Sequence, residues 1–176
     1  MGRELFIQGK KMMDMGRYEE AKELFLKLLA EDPGNAEAHN KLGVIAAGEK
    51  NFNEARKYFL KAMELKPGFS SAASNLGNLF FEAGDFEAAE EYYKKAINMD
   101  PDNPVPYNNL AVIYKNQGKI DRFVDFYKKS VSLSTRRGME DGPAGSGSRA
   151  GNGSRIIWWI VGIILTVIVF SLFWAG

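Results

Sequence analysis

One spacing dominates this chain of 176 residues: a period of 34. Gly9, Gly43, Gly77 and Ala111 stand 34 apart; so do Tyr18, Phe52, Phe86 and Ile120, and so do Phe25, Phe59, Tyr93 and Tyr127. Three further series keep the same phase: Ala21, Ala55 and Ala89; Leu28, Ala62, Ala96 and Ser130; and Pro33, Pro67 and Pro101. A repeat of this length is one supersecondary unit that cannot bury its apolar face alone, so the chain must stack neighbouring units into a solenoid.

Within each repeat the apolar residues recur at helical spacing. A first helix of about 13 residues is expected to end at a short turn, as at Gly16, Gly84 and Gly118, and a second to stop before the proline. Small residues such as Gly43, Ala55 and Ala62 allow close backbone approach, and Leu42, Phe52 and Phe59 fill the space between. The third repeat carries Asn75-Leu76-Gly77, Gly84-Asp85-Phe86, Ala89, Tyr93, Ala96 and Pro101, and on these residues the chain resembles the tetratricopeptide repeat family. The resemblance covers residues 2 to about 135. It implies an all-α solenoid of four helical hairpins, about eight helices, with repeats 2–35, 36–69, 70–103 and 104–137 in a domain spanning 1–135. The fourth repeat departs from the pattern: Phe123 and Ser130 replace small alanines and Thr135 replaces the proline, so a slight splay is expected there. No capping helix is read after it, which leaves a terminal face near Phe123, Phe126 and Val131 for another copy, a partner or a membrane surface.

Residues 136–155 are rich in Gly and Ser without apolar periodicity and read as a flexible tether. Residues 156–174 carry no charge, and thirteen of the nineteen are Ile, Leu, Val or Phe. At 1.5 Å per residue such a run spans roughly 28 Å, close to the hydrocarbon thickness of a bilayer. Trp158, Trp159 and Trp174 suit its two interfaces. The expectation is a single transmembrane helix over 156–175 in a tail-anchored chain. Arg136, Arg137, Arg149 and Arg155 precede the run, and by the positive-inside bias the repeats face the cytoplasm, on a bacterial inner membrane or an organelle surface.

The charges exclude some functions. Residues 1–135 hold 19 Lys and Arg against 20 Asp and Glu, so no basic field invites nucleic acid. Without any cysteine there is no disulfide framework, thiolate metal site or cysteine nucleophile. The N-terminus lacks the apolar core of a secretory signal, and Phe6 stands where a myristoylation signal wants Ser or Thr. His39, the one histidine, takes a position filled by Ala73 and Tyr107 in later repeats and reads as packing. Glu19, Glu20, Glu90, Glu91, Asp100 and Asp102 read as solvated surface without calcium-loop spacing. No convergent nucleophile, acid and base are found, so no enzyme, cofactor or metal site is expected.

The resemblance implies that the first helices line a concave groove. Asn75 and Asn109 share one repeat position there, Asn40 and Asn108 another, and Asn78 adds a fifth amide. Amides donate and accept, which suits the backbone of an extended peptide. Phe6, Met13, Val44, Phe81 and Val112 are the expected apolar contacts. The carboxylate clamp of some family members needs basic groove residues; Phe6, Ser71 and Asn75 occupy those places instead. The function expected is a membrane-tethered scaffold for a protein or peptide partner, with a self-associating organiser of a membrane complex as the alternative.

Overall fold

The computed structural model describes residues 1–140, with side chains through residue 138, and among these it is all helix. Eight helices run in order: α1 (Gly2–Asp14), α2 (Tyr18–Glu31), α3 (Ala36–Gly48), α4 (Phe52–Leu65), α5 (Ser70–Glu82), α6 (Phe86–Met99), α7 (Pro104–Asn116) and α8 (Ile120–Glu140). Four of 13 residues alternate with three of 14 and a last of 21. Each odd helix packs on the even helix after it, and α2, α4 and α6 pack on the first helix of the following hairpin.

The boundaries follow from local chemistry. Asn35, Asn51, Asp85 and Asn103 precede α3, α4, α6 and α7, and each side chain accepts from a backbone N–H of the first turn, which would otherwise lack a partner. The tight turn inside each hairpin needs one left-handed residue. Gly16, Gly84 and Gly118 supply it at φ of 73°, 79° and 70°, while the second repeat uses Lys50 at φ 60°. A side chain in that region is strained by on the order of 1 kcal/mol. Lys50→Gly is therefore expected to raise unfolding stability by about 0.5–1 kcal/mol, read from urea midpoints at unchanged slope. A lowered midpoint would contradict this account of the turn.

The spine of the core is a set of glycine–ring contacts. Gly9, Gly43 and Gly77 face Phe25, Phe59 and Tyr93, and a Cβ at these glycines would lie 2.7, 2.5 and 2.5 Å from the nearest ring carbon. Those three rings are fully buried. The fourth repeat has Ala111, whose methyl occupies that space, and its ring partner Tyr127 stays 48 % exposed, stacked on Phe123 with centroids 5.7 Å apart. The substitutions of the fourth repeat thus act together: Phe123, where earlier repeats keep a small alanine, packs half-buried against the core of α6 and α7, and Tyr127 stacks on it from outside.

α8 corrects one boundary. It runs on through Glu140, so residues 136–140 are helical, although the sequence assigns them to the tether. Arg136 pairs with Asp102 at 2.6 Å and Arg137 reaches Asp100 at 4.0 Å, giving these arginines a reason to stay ordered and these acids partners beyond solvent. Ser130, where alanine is usual, is buried and its hydroxyl donates to the Pro104 carbonyl at 3.0 Å. Phe126, expected on the terminal face, instead packs inward against Tyr107 and Tyr114. No helix among the described residues is long and apolar enough to cross a membrane. The predicted span and residues 141–155 of the predicted tether lie outside the described residues.

Candidate peptide-binding groove

Three clefts follow one another along the first helices of the hairpins. One of about 390 Å³ is bounded by Tyr18, Glu19, Val44, Ile45, Gly48 and Glu49. The next, about 340 Å³, lies between α3 and α5 and shares Val44 and Gly48 with it, adding Phe52, Leu79, Asn75 and Asn78. A third of about 280 Å³ lies between α5 and α7; it shares Asn78 and Glu82 with the second and adds Phe81, Tyr93, Asn109 and Val112. Shared lining residues make the three one groove.

Six of the ten residues picked from the sequence line it: Val44, Asn75, Asn78, Phe81, Asn109 and Val112. Four do not. Phe6 packs on Phe25 at 5.8 Å between centroids and borders a separate cleft at the start of α1. Met13 packs on the core of the first hairpin, and Asn108 is exposed outside the clefts. Asn40 is only 6 % exposed, because the packing of α3 against α5 closes over it.

The amides are also less free than the sequence suggests. Asn75 Nδ2 donates to Asn40 Oδ1 at 2.9 Å, and Asn109 Nδ2 donates to Asn78 Oδ1 at 2.9 Å. The same Asn78 oxygen accepts from the Tyr93 hydroxyl at 2.8 Å. The ladder is thus first a set of cross-links between successive first helices. Alanine at 75 and 109 cannot leave stability untouched, since a buried carbonyl on Asn40 would lose its donor. Among the described residues the side-chain oxygens of Asn75 and Asn109 accept no hydrogen bond, so part of the amide capacity remains to face the groove.

The sequence reading missed Glu82, Phe52, Leu79 and Tyr93 as lining residues. Glu82 lies one helical turn beyond Asn78 on the same wall and was legible from that spacing; Tyr93 belongs to a core series, and only the depth of the cleft brings its edge into the wall. Burial pushes the Tyr93 phenol up to about 12, the Glu82 carboxylate adds to the rise, and the Asn109 amide opposes it. Because the folded value lies above the unfolded value near 10, Tyr93 contributes stability that is complete below pH 10 and is lost as pH rises through 12. Unfolding midpoints should therefore fall between pH 10 and 12, with absorbance near 295 nm reporting a late phenolate. Tyr93→Phe should abolish that late step; its persistence would assign it to another tyrosine.

His39 is a packing residue in the structure. Its Nε2 lies 3.0 Å from the Pro33 carbonyl and its ring sits 6.0 Å from Tyr58. Tyr107, two repeats on, repeats both contacts, with its hydroxyl donating to Pro101 at 3.2 Å and its ring 6.1 Å from Phe126. Glu90, read as solvated, accepts from the buried Tyr114 hydroxyl at 2.9 Å and pairs with Lys94 at 2.7 Å.

Comparison with known proteins agrees with this architecture. Family models described as tetratricopeptide repeat match residues 8–68 and 106–136, and one described as TPR repeat matches residues 77–118. No curated protein matches the sequence. Among solved structures, a crystal structure of MamA superposes with a TM-score of 0.64 at 25% identity, covering 78% of this chain and 81% of that one. A second MamA crystal structure gives 0.61 at 25% identity, over 83% and 79%. MamA from Desulfovibrio magneticus RS-1, residue 41 to its end, gives 0.62 at 19% identity, over 78% and 77%, a likeness of fold alone. From its 34-residue period, its glycine–ring spine and these matches, the chain belongs to the tetratricopeptide repeat family.

Proposed function

We propose that this protein is a scaffold that holds a protein or peptide segment along the groove of α3, α5 and α7, and that residues 156–174 tether it to a membrane with the repeats on the cytoplasmic side. The observation that carries the binding reading is the continuity of the three clefts. Their walls combine apolar contacts from Val44, Phe52, Leu79, Phe81 and Val112 with amide groups that have hydrogen-bonding capacity left over. That combination fits an extended segment whose backbone bonds to amides while alternate side chains enter apolar hollows. The uncharged run and the arginines before it support the tether and its orientation.

Photo-crosslinking from groove positions tests the binding reading in the full chain. A crosslinker replacing Val112 should trap one discrete protein in the cells that express the chain, and a crosslinker replacing exposed Leu60 on α4 should not. Val112→Asp, at a position 39 % exposed, should then weaken that partner at least tenfold, about 1.4 kcal/mol, without unfolding the repeats. Equal trapping from both positions would refute the groove. Protease added to inside-out vesicles should digest the repeats; protection would reverse the orientation. The self-associating alternative has its own support, in the outer face of α8.

A further inference from the structure

Four apolar residues form one stripe on α8, three of them exposed and Val124 half-buried among the described residues. At about 100° per residue, Ile120, Val124, Tyr127 and Val131 fall within an arc of about 60°. Ile120, Tyr127 and Val131 are 56 %, 48 % and 47 % exposed. The core-facing residues Phe126, Ser130 and Leu133 lie to one side of this arc. On the other side, roughly 70 to 130° from the centre of the stripe, come Asp121, Asp125 and Lys128. These three are exposed, and among the described residues none of them forms an ion pair.

The spacing is symmetric. Ile120 and Val131, and likewise Val124 and Tyr127, are equally spaced about a point between Asp125 and Phe126. A two-fold axis at that point sets two copies of α8 antiparallel, with Ile120 against Val131 and Val124 against Tyr127 in both directions, as an isologous interface requires. The same axis keeps the charged flank of one copy beside the charged flank of the other. Lys128 of one helix then lies within about 3 Å of axial rise of both Asp121 and Asp125 across the seam, while Phe123 meets Tyr127 on the opposite margin. A parallel arrangement would instead set the charged flank of each copy against the Phe123 flank of the other and leave Lys128 without an acid across the seam.

We infer that α8 is a homodimerisation surface, pairing antiparallel with α8 of a second copy through Ile120, Val124, Tyr127 and Val131 with Lys128 bridging to Asp121 and Asp125. The occupant is a second copy rather than an anionic lipid surface, because the acids flank the stripe and Arg122, Lys129 and Arg136 lie on the far side of the helix. The inference is independent of the groove, whose lining residues are on α3, α5 and α7.

The chain has no cysteine, so introduced thiols report their own contacts. Full-length Ile120→Cys and Val131→Cys chains, folded by circular dichroism in detergent micelles, are treated with a bismaleimide spanning about one interhelix distance, 8–10 Å. The mixture of the two should give several-fold more covalent dimer than either variant alone, since each thiol lies about 16 Å in axial rise from its own copy across the axis. Adding Lys128→Asp to both should cut that yield at least threefold, and adding Asp121→Lys and Asp125→Lys as well should restore it. No dimer in the mixture, equal self-linking by each variant, or indifference to Lys128→Asp would each overturn the pairing. Protection of the stripe by anionic vesicles without linking would assign it to lipid and overturn it too.

Discussion

Phe59→Ala is expected to cost about 3–5 kcal/mol of unfolding free energy, the range for emptying a fully buried phenylalanine site. Phe59 is 1 % exposed and lies between α3 and α4, beside Ala55 and Leu76. Its neighbour Gly43 gives the opposite fault at the same contact. A methyl at Gly43 would stand 2.5 and 2.6 Å from two carbons of the Phe59 ring, so Gly43→Ala must push ring or helix aside, at about 1–3 kcal/mol. Glycine to alanine within a helix otherwise stabilises by roughly 0.5–1 kcal/mol, and Gly48, with nothing near its missing Cβ, should show that sign. Thermal and urea unfolding followed by circular dichroism separates the three: a large loss, a moderate loss and a small gain. In a solenoid the loss spreads through nearest-neighbour interfaces, so the second repeat should carry α1 and α2 down with it. A silent Gly43→Ala would mean that the glycine series is not there for close packing.

Those glycines also explain why the fold was so legible. A residue that must be small and a ring that must fill the gap recur 16 positions apart in the first three repeats, and the pattern needs no partner outside the repeat to be recognised. The fourth repeat was harder. Ala111 and Phe123 are single substitutions in sequence, yet together they turn Tyr127 outward, and only the distance between Gly77 and the Tyr93 ring reveals why a methyl at that position has this effect. The end of α8 escaped because residues 136–140 have little apolar periodicity; their helix is held by arginines reaching acids 34 and 37 positions earlier, which no local rule contains. The groove was legible as a wall and misread as a surface. Helical spacing finds which residues share a face, but whether an amide on that face is free depends on how closely the next helix approaches, and Asn40 and Asn75 meet across that approach.

The strongest consequence for the groove falls on Asn78, whose carbonyl oxygen holds two donors at once. Asn78→Ala strips the acceptor from the Tyr93 hydroxyl, in a side chain only 2 % exposed, and from the Asn109 amide. A buried donor left without a partner costs about 1–3 kcal/mol, so a loss in that range is expected although Asn78 itself is exposed. Tyr93→Phe in the same background removes the orphaned hydroxyl and should recover part of the loss, a coupling that the double-mutant cycle reads directly. Asn78→Asp keeps an acceptor of the same shape and should cost less than alanine, although it sets a second carboxylate on the wall that already holds Glu82. Exposed Asn108 is the contrast: Asn108→Ala removes an amide that makes no side-chain hydrogen bond among the described residues and should leave the unfolding midpoint where it is. If Asn78→Ala and Asn108→Ala are equally harmless, Asn78 is not a structural cross-link, and its oxygen is as available to a bound segment as the sequence alone suggested. If only Asn78→Ala destabilises, the groove keeps its shape through the same amides that line it, and partner affinity measured on that variant must be corrected for the folded fraction before any contact is assigned to Asn78.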